Sequence, residues 1–379
     1  MKQILQIKIG LFAVTTIGLG LLLFNTSSSS TSPSLRAAEP TQQPPLGAPI
    51  FELDPSWPIV PDQWVLGEVS SIGVDGQGRL LVLHRPRSVP ADERHMAAPP
   101  VLEFDVAGNF LHAWGGAGDG FEWPEREHAI HVDHQGNIWI GGNNCPERNL
   151  PELMSVSDDQ LLKFSRDGQF LMQIGDSNQS RGNSDTMNVR QPGDQAVYPR
   201  TNEVFVADGY GNRRLIVFDA ETGEFKRMWG AFGNEPIDSY GCPPASVPAP
   251  DDGDGPSQFH IVHALSISND GFVYAADREY RRVQVFTVDG EFVDQVFMPD
   301  NARAGDVALS ADPQQEFMYV PAGGQIVVFD RLSLEVLYSF PGSGHHIATD
   351  LEGNIYTAQT GQRRAQKYTF QGLSAGDGR

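Results

Sequence analysis

The sequence predicts an all-β fold, a six-bladed β-propeller, on three observations. A two-strand unit recurs along the chain, and a second two-strand unit precedes each copy. The 40 glycines and 27 prolines among 379 residues favour frequent turns over long helices.

The first unit reads VLEFDVAGNFLHAWG (101–115), LLKFSRDGQFLMQIG (161–175), LIVFDAETGEFKRMWG (215–230) and VQVFTVDGEFVDQVF (283–297). Each copy is a short apolar strand, a glycine-containing turn and a second strand, the signature of a hairpin. IVVFDRLSLEVLYSF (326–340) is a weaker copy, and AQKYTFQGL (365–373) lacks its last strand. The preceding unit reads AIHVDHQGNIWIGG (129–142), ALSISNDGFVYAAD (264–277) and HIATDLEGNIYTAQ (346–359), with looser copies at 71–84, 195–208 and 307–320. Two hairpins make a four-stranded blade, and six such units make a ring. The propeller is assigned to residues 49–373, followed by a short tail, 374–379. Residues near 49–60 are expected to supply the missing outer strand, because an open ring would leave sheet edges unpaired.

Residues 1–24 carry Lys2 and Lys8 and then an apolar run, 9–24, which reads as a signal peptide or a membrane anchor. A Ser/Thr/Pro/Gln-rich linker, 25–48, follows. The expected location is extracytoplasmic, secreted or periplasmic, with a possible membrane tether through the apolar run. In such a compartment Cys145 and Cys242 could pair, or could stand as two loop thiols. A formal charge of −21 without a basic stripe would repel a phosphate backbone, which excludes nucleic acid. A small-molecule or peptide substrate is compatible with that charge.

Counting back from the corner glycines brings three histidines into register. His128, His263 and His345 each lie eight residues before a corner, at Gly136, Gly271 and Gly353. They belong to blades two, four and six, about 120° apart around the axis. Three imidazoles at one height form a metal site with a free fourth position, as catalytic rather than structural zinc requires. His346 is expected to face away, since successive strand residues point oppositely. Arg85, seven residues after Gly78, and Tyr210, eight after Asn202, emerge on the histidine face. Asp208-Gly-Tyr-Gly-Asn and Asp277-Arg-Glu read as strand-end turns that cap and bridge blades.

The stretches VFVADGYGNRRLIVFDAETGEF (204–225), FHIVHALSISNDGFVYAADREYRRVQVF (259–286) and LLVLHRP (80–86) resemble the peptidyl-α-hydroxyglycine α-amidating lyases, propellers of NHL-type repeats. The resemblance implies cleavage of a peptidyl-α-hydroxyglycine to a peptide amide plus glyoxylate. It also implies Zn²⁺ on His128, His263 and His345, with Arg85 and Tyr210 as catalytic residues. There are four departures. Ser343 replaces an active-site methionine, and His346 replaces an aspartate of the family's structural Ca²⁺ site, which argues against that calcium. Arg190 and Gly211 stand where the family has a disulfide, and no stretch of these 379 residues reads as a copper monooxygenase domain. Two rival readings remain. One is a non-enzymatic propeller that binds a protein or ligand. The other is a calcium-dependent propeller lactonase or esterase, which needs carboxylates or Asn at the axis; Ser70, Asp194 and Asp306 occupy the other three blades at this register.

Overall fold

The structure is a computed structural model describing residues 44–238, 241–248 and 253–375. The signal-or-anchor segment, most of the linker and the last four residues of the tail lie outside them. Among the described residues the regular structure is strand, with short 3₁₀ turns between. The strands form six four-stranded sheets, each antiparallel and in chain order except the last. The innermost strands are Glu68–Val74, Glu127–Val132, Asp194–Tyr198, Val262–Ile267, Ala308–Leu309 and His346–Thr349, in blades one to six.

The outer strand of blade six is Pro49–Asp54, paired antiparallel with Arg364–Leu373, so the ring closes by joining the two ends of the fold. Phe51 fixes this seam. Its ring lies 5.3 Å from Phe340, 5.5 Å from Tyr319 and 5.9 Å from Phe370. The corners after the inner strands need a left-handed residue, and Gly136 supplies it at φ +85°. In blade three Asn202 does so at φ +52°, an asparagine being one of the few alternatives.

The core is not a single cluster. Six groups of buried apolar residues lie one between each pair of neighbouring blades. The second strands are therefore buried on both faces, as Leu80–Arg85 is throughout. This packing leaves the axis to the polar ends of the inner strands.

Those ends are bulged. The pairing register slips between Val69 and Ser71, between Glu127 and Ala129, and between Val262 and Ala264. The extra residues are Ser70, His128 and His263. In blade six the His345 amide donates to the Ala358 carbonyl at 2.6 Å, while Ala358 also pairs with His346. A bulge re-aims side chains and breaks strict alternation.

Candidate metal centre and active site

The three bulged histidines meet on the axis. His128 and His263 are buried and His345 is half-buried. Each directs Nδ1 to a main-chain carbonyl of the following blade. His128 reaches Gly193 O at 2.6 Å, His263 reaches Gly305 O at 2.5 Å, and His345 reaches Ser70 O at 2.7 Å. A carbonyl can only accept, so each Nδ1 carries the proton and each Nε2 presents a lone pair. Loss of water holds all three imidazoles well below their ordinary range, so they stay neutral. Their rings lie 4.6–5.1 Å apart.

Nε2 of His263 and Nε2 of His345 are 3.3 Å apart. Two lone pairs cannot hydrogen-bond to each other. The same separation is close to the edge of a tetrahedron of nitrogens around an ion at ~2.0–2.1 Å. The donor set, its tautomers and its spacing fit zinc or another late first-row divalent ion.

His346 corrects the sequence expectation that it faces away. A ring nitrogen of His346 lies within 4.8 Å of the ligand nitrogens of His128, His263 and His345. The alternation that would have turned it outward is interrupted by the bulge at His345. Asp194, Asp306 and His346 form a second buried group.

Tyr210 lies beside the histidines, its hydroxyl 3.1 Å from His128 Nε2. Its approach depends on Gly209, where a Cβ would stand 2.1 Å from the Val262 carbonyl oxygen. Arg278 donates to the Tyr210 oxygen at 2.9 Å and packs over its ring at 5.3 Å. Arg278 is not among the residues the sequence singles out, because Asp277-Arg-Glu has the composition of a strand-end turn. That description holds for Asp277, which pairs with fully buried Arg282 at 2.9 Å, and for Asp208, which pairs with Arg214 at 2.8 Å.

Arg85 is buried and fixed by two contacts. Nε donates to Glu127 O at 2.7 Å, and Nη1 pairs with Glu68 at 2.5 Å. Its Nη2 has no partner among the described residues. Burial draws Arg85 down to about 10, which leaves it charged at neutral pH, and its field reaches Tyr210 and all three histidines.

Ser343 lines a cavity of about 190 Å³ with His263, His345 and Arg278. A neighbouring cavity of about 380 Å³ shares Arg278 and Arg303 and is lined by Tyr210, Cys145 and Cys242. Those two cysteines form a disulfide on the histidine face. Arg190 and Gly211 are neighbours joined by a backbone hydrogen bond of 3.1 Å.

No protein-family model matches the chain. It is 28% identical over 300 residues to the peptidylglycine alpha-amidating monooxygenase of Rattus norvegicus, which covers 72% of this chain but 27% of that protein. The chain thus spans about a quarter of the length of such relatives. A "Probable peptidyl-alpha-hydroxyglycine alpha-amidating lyase" of Caenorhabditis elegans is 28% identical over 236 residues, or 59% of this chain and 56% of that one. NHL repeat-containing protein 3 of Homo sapiens is 22% identical, covering 84% of each chain. The chain is therefore a six-bladed propeller related to the peptidylglycine α-amidating proteins and to NHL repeat-containing proteins.

Proposed function

We propose that this propeller is a zinc-dependent lyase that cleaves a peptidyl-α-hydroxyglycine, or a related α-hydroxyamide, to an amide plus glyoxylate. The observation that carries the reading is the convergence of three Nε2 lone pairs, each fixed by an Nδ1–carbonyl hydrogen bond. The amidating-lyase relatives support the reaction class.

His128, His263 and His345 would hold the ion, which when bound supplies Lewis acidity toward the substrate hydroxyl. Tyr210 Oη, 3.1 Å from His128 Nε2, would as the phenolate take the hydroxyl proton. The oxygen–carbon bond then becomes a carbonyl, the carbon–nitrogen bond breaks, and its electron pair leaves on the amide nitrogen. Tyr210 would return the proton to that nitrogen. Arg278 and Arg85 would stabilise negative charge as it moves. Arg85, whose buried Nη2 has no partner among the described residues, would meet a substrate carboxylate. Ser343 leaves the cavity wall smaller and more polar than a methionine would. An extracytoplasmic location fits the Cys145–Cys242 disulfide.

The test is release of glyoxylate. Zinc-loaded protein is incubated with a peptidyl-α-hydroxyglycine and with simpler α-hydroxyamides, and glyoxylate and amide should appear in equal amounts. Zinc-loaded protein that releases none from any of them would leave a binding platform as the better description.

A further inference from the structure

We propose that His346 is a fourth protein ligand of the same ion, approaching from the channel side and oriented by Asp306. The proposal rests on the three-histidine reading and deepens it.

Position is the first argument. The His346 ring lies 4.9 Å from that of His345, 5.2 Å from that of His263 and 5.3 Å from that of His128. These spacings differ little from the 4.6–5.1 Å among the other three. One ligand nitrogen from each of the four rings lies within 4.8 Å of the others.

Hydrogen bonding is the second. His346 Nδ1 is 3.2 Å from Asp306 Oδ2. Its Nε2 is buried and has no partner among the described residues. A buried polar atom is seldom left unmatched. A histidine whose Nδ1–H is held by a carboxylate, with Nε2 free, is the arrangement commonly found behind a metal ligand. Asp306 itself is held, since the same oxygen accepts from the Ile347 amide at 2.8 Å.

The side of approach is the third. His346 lines the channel cavity with Asp194 and Asp306, whereas His128, His263 and His345 do not. His263 and His345 instead line the outer cavity with Ser343 and Arg278. A ligand from the channel side would leave the outer face open to substrate. Asp194 and Asp306, both buried, would compensate the double charge that three neutral imidazoles cannot.

The test uses the full chain loaded with zinc. X-ray absorption at the zinc edge should count four imidazoles in the wild type and three in His346→Gln. Chelator competition should show affinity at least 10–100-fold weaker in His346→Gln, and weaker by about 10–100-fold in Asp306→Asn. Thermal unfolding verifies that each variant folds, and the wild-type absorption count needs no variant. Three imidazoles in the wild type, or unchanged affinity in His346→Gln, overturns the proposal and leaves the three-histidine site standing. Wild-type protein that binds no zinc overturns both.

Discussion

The inner strands of blades two, four and six reach the axis at the same height as those of blades one, three and five, yet the two sets contribute different things. The even blades present His128, His263 and His345 at their bulges. The odd blades supply the carbonyls of Gly193, Gly305 and Ser70 that fix those rings. They also brace the even blades two residues further on. Ser71 Oγ accepts from the Ile130 amide at 3.2 Å, Asp194 from Leu265 at 3.1 Å and Asp306 from Ile347 at 2.8 Å. A six-fold scaffold has thus been divided into three blades that present imidazoles and three that hold them. The imidazoles are preorganised from both sides, as the proposed metal site would require.

If that division is right, the largest effect comes from an even-blade ligand. His263→Ala should lose stoichiometric zinc on dialysis and turnover with it, because it removes one of the three even-blade imidazoles and leaves the ligand set incomplete. Elemental analysis that still finds one zinc per chain would break the comparison at its base.

In the proposed mechanism an odd blade contributes the proton chemistry, from Tyr210 in blade three. Tyr210→Phe removes the hydroxyl that lies between His128 and Arg278. It should keep the metal and lose about 10²–10⁴ in rate, the usual cost of a missing general base. Turnover within a few-fold of wild type would move the base elsewhere. Metal content that falls together with the rate would instead make Tyr210 part of the ligand set.

The division also explains what could be read in advance. The blade count and the three histidines follow from periodic spacing, which a sequence displays directly. His346 was misplaced because period-two alternation was carried through a bulge that no residue type announces. Arg278 was missed because Asp277 and Arg282 beside it form a buried structural pair, and the turn description suited both. The holding carbonyls are main-chain atoms, which any residue supplies. The partnering of Cys145 and Cys242 was left open because the loops carrying them follow no repeat.

That disulfide joins the loop after the second strand of blade two to the loop before blade four, across Tyr210. With the cysteines 97 positions apart, Cys145→Ser with Cys242→Ser should cost about 2–4 kcal/mol. Denaturant unfolding of the pair variant checks this. If stability is unchanged but turnover falls, the link serves to position the two even blades and not to stabilise the ring.

The smallest expected effect sharpens the contrast between histidines that converge and one that is satisfied. His84, in blade one, is fully buried, with Nδ1 3.0 Å from the Gly67 amide and Nε2 3.0 Å from Pro99 O. The amide can only donate and the carbonyl can only accept, so the neutral ring is required and a second proton has no place. Burial accordingly draws His84 down to about 4. The unfolded chain takes up this proton near pH 6.5, so the stability that His84 contributes is complete above that pH. It declines as pH falls toward 4, where about 3 kcal/mol has been lost. His84→Gln can keep both hydrogen bonds without titrating. Between pH 7 and pH 5 the wild type should therefore lose about 2 kcal/mol more than the variant. Other buried groups, including His131, are common to both proteins and cancel in the difference. Equal losses in the two proteins would mean that His84 accommodates its second proton in the folded state, and the ring of blade one would then be no more constrained than the imidazoles on the axis.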